Sequence, residues 1–415
     1  MIYGAYHTYQ RAFQPLNLYA KAVGTITGLD YFPLNRSYIN RHIKAGAEFI
    51  ERLTRRYENP GFQLDHTVIN NKIVPVEERI IKSKPFYNLV HFKRAGKYND
   101  PAVLMVAPMA GHYASLMRYT IEVFLPDHEV YITDWKNARD VPLAEGDFGG
   151  DDFMDCIMEA LRLMGTKNHI VSACQPCPWV LTAAAVMSME EDPAQPVSMT
   201  LMAGPVDPRI NVSKLLKHAP KLNPALLEKL AIDKVPSAFP GRGRKVYPGF
   251  RQLSMFMSMN LGLHAKKHWQ FYRNLVKNNE PEADGHRDFY DNYMAVMDGT
   301  ATFFHDTVKR IFYECHLPEG KMEYRGKRVD PGDIRRTALM TVEGENDEFC
   351  PPGQTKAAHD ICANIPKNRR GHHLQKGVGH YGVFNGSKFK AHVAPLIKKF
   401  IRAAEAGRPV PGKMN

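Results

Sequence analysis

The feature that most constrains the fold is an alternation of short apolar runs with helical runs, which begins near residue 87. Five runs have the length and apolar composition of buried strands, at 89–92, 102–107, 129–133, 169–173 and 198–204. Helical patterns at 151–164 and 178–189 lie between them. This order predicts right-handed strand–helix–strand units and a mostly parallel sheet that is covered by helices on both faces.

The alternation stops after the fifth run and resumes late in the chain. Residues 207–320 have no clear strand pattern and are rich in Met and aromatic residues. Further elements are predicted at 337–344 (strand), near 353–365 (helix), 372–376 (strand) and near 387–406 (helix). We therefore expect a helical and irregular segment over 1–85, an α/β core over 86–206 and 321–407, and a helical cap over 207–320.

The most informative stretch is HIVSACQPCPWVL, where an apolar strand, a reactive side chain and a helix follow one another directly. This order is typical of a nucleophile elbow, in which a sharp turn exposes the nucleophile and aims backbone N–H groups at developing negative charge. The usual G-x-S-x-G pattern reads here Ser172-Ala-Cys174-Gln-Pro176, so neither glycine is present. Cys174 is the candidate nucleophile, and a buried structural cysteine is the alternative.

Cys174 and Cys177 also form a C-x-x-C pair, a spacing that suits a dithiol redox site or half of a zinc site. A redox module would normally be a small separate domain, and a zinc site would need two further ligands. Cys350 or His372 and His373 could be proposed for that purpose, but no second C-x-x-C exists. We expect no metal and no cofactor, with the redox and zinc sites kept as alternatives.

The other members of a catalytic triad should follow late strands in the order nucleophile, acid, base. Asp347 follows the predicted strand at 337–344, and His380 lies in a glycine-rich turn after the strand at 372–376. Asp347 would orient the imidazole, and His380 would act as the base toward Cys174. Glu343 and Glu345 remain rival acids.

Two backbone N–H groups are needed to bind an oxyanion. One should be that of Gln175, directly after the nucleophile. The other should come from the loop after the strand at 102–107, where Met109 or Ala110 is the expected donor. His112 in the same loop is more typical of a residue that orders the loop.

The net charge of +12 raises the possibility of an anionic partner. The basic residues are scattered, however, and no nucleic-acid-binding pattern accompanies them, so we expect a solvated basic surface and no nucleic-acid partner. No run reaches the roughly 18 to 20 apolar residues of a membrane span. The first residues lack the pattern of a secretory signal, which predicts a cytoplasmic protein.

Several of these stretches resemble the intracellular polyhydroxybutyrate depolymerases. The resemblance is carried by Cys-Gln-Pro at the elbow, GENDEFCPP around Asp347, GHYGVFNG around His380, YITDW at 131–135 and YHTYQRAF near the start. It implies an α/β-hydrolase with a cysteine triad that degrades stored polyester at granules to 3-hydroxybutyrate and oligomers. A homo-oligomer is possible.

Aromatic residues of the cap are candidates for holding the polymer. We name Tyr247, Phe250, Phe256 and Trp269 as substrate-binding residues, although packing inside the cap is the more common role for any single aromatic residue of such a segment. Two other functions stay open. A polyester synthase shares the triad but would carry an elbow of the form G-x-C-x-G, and a non-catalytic granule-coating protein would need only basic charge and exposed aromatics.

Overall fold

A computed structural model describes residues 2–29, 37–212 and 224–412 of the chain. The strands are β1 His66–Ile69, β2 Lys72–Ser83, β3 Tyr87–Arg94, β4 Ala102–Val106, β5 Glu129–Trp135, β6 Asn168–Ala173, β7 Ser198–Met202, β8 Asp233–Lys234, β9 Lys245–Tyr247, β10 Gly299–Thr300, β11 Glu323–Tyr324, β12 Lys327–Arg328, β13 Ala338–Gly344 and β14 Arg370–Gln375. The α-helices are α1 Ile2–Gly28, α2 Tyr38–Thr54, α3 Arg118–Phe124, α4 Gly150–Met164, α5 Cys177–Met189, α6 Pro224–Ala231, α7 Gly249–Met259, α8 Leu261–Val276, α9 Glu280–Met294, α10 Ala301–Asp306, α11 Ala358–Ile361, α12 Gly386–Lys388 and α13 Ala394–Glu405. Two π-helical segments, Thr307–Tyr313 and Phe389–Val393, extend α10 and precede α13.

One nine-stranded sheet organises the core, in the order β1-β2-β3-β5-β4-β6-β7-β13-β14. Six neighbouring strands of this sheet pair in parallel, namely β5, β4, β6, β7, β13 and β14, whereas β1, β2 and β3 are antiparallel to their neighbours. Strands β6, β7 and β13 are buried along their whole length, as expected where helices cover both faces of a parallel sheet. The sheet order, the crossover helices and the insertion after β7 are those of an α/β-hydrolase fold, which confirms the predicted fold class.

The segment before residue 86 differs from the prediction. We expected helices and irregular chain over 1–85, but β1 and β2 lie there and join the main sheet through β3. Only one residue of β2, Val76, is buried, so this strand lacks the apolar alternation from which strands are recognised. The helical part of the segment is a pair, α1 and α2, that packs on α8 of the cap.

The insertion between β7 and β13 is mainly helical, as expected, with α7, α8 and α9 as its largest helices. It also contains a small antiparallel sheet of β8, β9 and β10, which the sequence did not indicate. Those strands are two or three residues long, too short to leave a periodic pattern. The helix predicted near 353–365 is reduced to α11, and turns occupy the rest of that stretch.

Within the described ranges, no helix combines the length and the apolar character needed to cross a membrane.

Candidate active site

Cys174 occupies the turn between β6 and α5 in a left-handed backbone conformation, with φ of +67°. Such a conformation costs a non-glycine residue roughly 1–2 kcal/mol and persists only where the surroundings enforce it. The Cys174 N–H donates to the carbonyl of Met202 on β7 at 2.8 Å, which fixes the turn. The side chain remains partly exposed. This is the strand–turn–helix geometry that the sequence indicated.

The two missing glycines of the elbow are compensated locally. Pro176 has φ of −73° and ψ of −12°, so its ring fits the opening of α5. Room under the turn comes from Gly204, just after β7, because a Cβ there would lie 2.2 Å from the Cβ of Cys177. The crowding that elbow glycines usually relieve is therefore relieved by a glycine of the neighbouring strand end.

Cys177 lies in a different environment from Cys174. It is fully buried at the start of α5, where its Sγ lies 3.6 Å from the carbonyl oxygens of both Ser172 and Met202. Burial raises the pKa of this thiol to about 12, which keeps it protonated at neutral pH. Such a thiol is poorly suited to a dithiol redox pair. Among the described residues, no three His, Cys, Asp or Glu side chains are grouped so that they could hold a metal ion.

Asp347 and His380 form a buried pair at the carboxyl edge of the sheet. The Nδ1 atom of His380 lies 2.8 Å from Oδ2 and 3.1 Å from Oδ1 of Asp347. Oδ1 also accepts from the backbone N–H groups of Phe349 and Cys350 at 2.9 and 2.8 Å. These bonds fix the carboxylate, and through it the orientation of the ring that carries the free nitrogen.

The rival acids are occupied elsewhere. Buried Glu343 accepts from the N–H groups of Gly353, Thr355 and Lys356 at 2.8–2.9 Å and so holds the turn after β13. Glu345 accepts from Gly377 N–H at 2.8 Å. Of the three candidate carboxylates, Asp347 is therefore the one that the fold brings to His380.

His380 faces Cys174, and the sulfur lies close enough to the ring to affect its pKa. Burial of the ring opposes a positive charge. The carboxylate of Asp347 and the sulfur of Cys174 outweigh that effect and raise the pKa of His380 well above its usual range. The imidazolium form is thus favoured between a carboxylate and a sulfur.

The predicted oxyanion donors lie beside this pair. The Met109 N–H donates to the Gln175 side-chain Oε1 at 3.3 Å, and Gln175 Nε2 lies 3.4 Å from Oγ1 of Thr307 in the cap. Both bonds are long and therefore weak. The side chain of Gln175 thus connects the loop after β4 with the cap. That loop also contains Ala110.

His112 lies in the loop that carries Met109 and Ala110, and it is buried between the rings of Phe256 and Tyr293. Burial lowers the pKa of His112 to about 4. A neutral ring that ties this loop to the cap has the loop-ordering role that the sequence indicated.

A cavity of about 650 Å³ lies between the cap and His380. Its walls are largely aromatic and include Phe256, Phe289, Tyr290, Tyr293, Phe349 and Tyr381. Polar side chains also line it, among them Asn260 directly before α8, Asn274 on α8 and Glu348 in the turn after β13. A partly apolar cleft with a few polar groups, open beside His380, fits a small or extended organic ligand.

Of the four predicted substrate-binding residues, only Phe256 lines this cavity. Phe250 stacks on Tyr6 of α1 with ring centroids 4.1 Å apart. Tyr247 packs on Phe304. Trp269 lies on the outer face of α8 at 59% exposure. The position of the Phe250 ring depends on how α1 packs on the cap, which the local sequence does not reveal.

Tyr381 was not singled out in the sequence, although it directly follows His380. Its ring lines the cavity, contacts the rings of His380 and Phe349, and is hydrogen-bonded through its hydroxyl to Tyr293. Burial raises the pKa of Tyr381 well above its usual range, and the sulfur of Cys174 is close enough to contribute. Its hydroxyl therefore remains a proton-bearing group near the reacting atoms. Position in a turn next to His380 was the only available signal.

Comparisons with known proteins complete this description. A family model described as "PHB de-polymerase C-terminus" matches residues 203–405, a region that contains Asp347 and His380 but not Cys174. The resemblance to polyhydroxybutyrate depolymerases is thereby confirmed for that region. A search of curated protein sequences returned no significant match.

Solved structures with similar folds include three hydrolases. One is a putative lipase from Acinetobacter baumannii AYE, with 13% identity over 80% of this chain and 93% of that one and a TM-score of 0.43. Another is the Bacillus megaterium epoxide hydrolase, with 12% identity over 79% and 100% and a TM-score of 0.46. The third is the naproxen esterase of Bacillus subtilis, with 11% identity over 88% and 98% and a TM-score of 0.40.

Proposed function

From the premise that residues 203–405 carry the C-terminal region of the polyhydroxybutyrate depolymerase family, we propose that the protein is a carboxylic ester hydrolase that cleaves stored polyhydroxybutyrate through an acyl-cysteine intermediate. The observation that carries the proposal is the constellation at the sheet edge. A strained, partly exposed Cys174 lies beside a His380 that Asp347 orients.

In the first half-reaction the Cys174 thiolate attacks the ester carbonyl carbon. The backbone N–H groups of Gln175 and Met109 donate hydrogen bonds to the carbonyl oxygen as negative charge develops on it. The C–O bond then breaks, and the Nε2 proton of His380 passes to the departing alkoxide, which leaves as the free hydroxyl end of the polymer. Asp347 stabilises the imidazolium before this transfer.

In the second half-reaction the neutral His380 removes a proton from water. The resulting hydroxide attacks the acyl carbon, and the C–S bond breaks. The thiolate and the imidazolium are thereby restored, and a 3-hydroxybutyrate unit or oligomer with a free carboxyl end is released. The aromatic cavity beside His380, with Phe256, Phe289 and Phe349 in its walls, would hold the apolar part of the chain while polar groups such as Asn260 face the ester oxygens.

Amorphous polyhydroxybutyrate granules provide the direct test. The parent protein should release 3-hydroxybutyrate and short oligomers, and Cys174→Ala should abolish the release. Cys177→Ser is the matched control, because Cys177 is buried beside the elbow and touches no reacting atom; it should retain activity.

Three outcomes would contradict the proposal. Absence of any release by the folded parent would favour a granule-coating protein. Growth of polymer with release of coenzyme A from a hydroxyacyl thioester would favour a synthase. Loss of activity in Cys177→Ser together with full activity in Cys174→Ala would exclude the assigned nucleophile.

A further inference from the structure

The helix pair α1 and α2 exposes an apolar surface that the proposed chemistry does not use. On α1, one stripe runs at alternating spacings of three and four residues through Tyr9, Ala12, Leu16, Tyr19, Val23 and Ile26. Most of these residues are exposed, and Tyr19 reaches 69%. The stripe is roughly 27 Å long, given the rise of a helix per residue.

A second stripe with the same spacing lies on α2. It comprises Ile39, Ile43, Gly46, Ile50 and Leu53. The four aliphatic side chains are exposed, with Ile39 at 62%. Every residue on this face of α2 is therefore apolar or glycine, although the face is open to solvent. An adjacent face of α2 packs on the cap, where Phe49 contacts the rings of His268 and Tyr272.

The two stripes lie on the same side of the helix pair. Asn17 Nδ2 donates to the Glu51 carbonyl at 2.8 Å and Asn40 Nδ2 donates to the Thr27 carbonyl at 2.9 Å, so the helices are antiparallel. Each of these packing residues directly follows a stripe residue: Asn17 follows Leu16, Thr27 follows Ile26, Asn40 follows Ile39 and Glu51 follows Ile50. In each helix, moving one residue toward the N-terminus rotates the direction in which the side chain projects by about 100° about the helix axis, in the same sense. Because the two helices are antiparallel and face each other, these rotations place both stripes on the same side of the helix pair.

We propose that this double stripe is a homodimer interface, in which the α1–α2 pairs of two copies form a four-helix bundle. The strict three-and-four spacing is the seven-residue repeat of a helix-to-helix seam, narrower than the face of a helix that lies on a lipid surface. Each stripe has one small position among large ones, Ala12 on α1 and Gly46 on α2, which allows close approach of a partner helix at those points. A contiguous apolar face of this kind marks an interaction site.

Charge argues against an anionic lipid surface as the occupant. Neither stripe contains a charged residue. On α1, Arg11 and Lys21 project from other faces according to the helical period, so they do not border the stripe. Helices that bind anionic lipid place Lys and Arg beside the apolar face. The inference does not depend on the proposed function, because the stripes share no residue with the catalytic constellation.

The test is the mass of the full-length protein in solution, measured by size-exclusion chromatography with light scattering over a range of concentrations. The parent should have twice the mass of one chain. Tyr19→Glu and Ile50→Glu should each weaken association by at least tenfold and give a single-chain mass. Leu18→Glu is the matched control: Leu18 is 58% exposed on α1 but lies off the stripe, and this variant should remain dimeric.

Folding and catalysis provide the controls. Circular dichroism should show all variants folded, and hydrolysis of a soluble short-chain ester should be unchanged. Ile43→Ser gives a milder disruption if a glutamate variant unfolds.

A parent of single-chain mass at every concentration, or a dimer that survives both glutamate substitutions, would overturn the interface. If the parent is a single chain and only the stripe variants lose binding to polyester granules, the face docks on polymer and the dimer proposal is wrong.

Discussion

His380 and Asp347 are 33 residues apart in sequence and are joined by a buried hydrogen bond of 2.8 Å between Nδ1 and Oδ2. The bond links the turns that follow two adjacent parallel strands, β13 and β14. Its consequence is electrostatic: the carboxylate raises the pKa of His380 against the effect of burial. Several measurable properties depend on this relationship.

Asp347→Asn should lower kcat/KM on a soluble ester by about 10²- to 10⁴-fold, because the amide loses the charge and stabilises the wrong tautomer. The pH profile should move as well. Asp347 raises the pKa of His380, so its removal lowers that pKa, and the imidazolium is lost at lower pH. The alkaline limb of kcat/KM, which reports the protonated His380 needed for leaving-group protonation, should therefore shift downward. An unchanged limb would show that Asp347 does not control His380.

Gln175→Glu should reduce kcat by roughly tenfold or more, since a carboxylate beside the Met109 N–H would compete for that donor and repel the oxyanion. Gln175→Ala removes the side chain without adding charge and should reduce kcat less. Steady-state rates on the same ester give the comparison. Equal losses in the two variants would mean that the Gln175 side chain does not face the oxyanion.

Glu343→Ala should destabilise the fold by about 3 kcal/mol, because three backbone N–H groups lose their buried acceptor. Glu345→Ala removes one exposed contact and should cost less than about 1 kcal/mol. Urea unfolding measures both. Below its unfolding temperature Glu343→Ala should still hydrolyse ester. Loss of activity in a stably folded Glu343→Ala would return Glu343 to consideration as the catalytic acid.

Phe256→Ala should raise KM for 3-hydroxybutyrate oligomers by about tenfold, the effect expected for losing one buried aromatic contact of roughly 1–1.5 kcal/mol. Trp269→Ala serves as the control, since its ring lies outside the cavity, and KM should stay unchanged. The opposite pattern would place the polymer on the outer face of α8.

The chain itself predicts most of the core. Buried parallel strands leave continuous apolar runs, and the order of Cys174, Asp347 and His380 follows from the topology of the sheet. The contact between Asp347 and His380 was predicted. The position of Glu343 away from His380 was not, because three backbone N–H groups of a later turn determine where its carboxylate points.

The features that escaped prediction depend on contacts between distant residues. Strand β2 has no apolar alternation because nearly all of it is exposed, so its pairing with β1 and β3 is what makes it a strand. Phe250 and Trp269 are aromatic residues of the cap like Phe256, and no local signal separates them. The stack of Phe250 on Tyr6, which joins the first helix to the cap, removes Phe250 from the cavity.

The central claim is that the sulfur of Cys174 forms a covalent bond with the substrate. The most direct measurement is mass spectrometry of the intact protein and its peptides after brief exposure to a 3-hydroxybutyrate oligomer and rapid acid quenching. We predict a mass increase of one or more hydroxybutyryl units, located on Cys174, that is absent from Cys174→Ala and present in Cys177→Ser. An adduct on another residue, or rapid turnover by Cys174→Ala, would contradict the account.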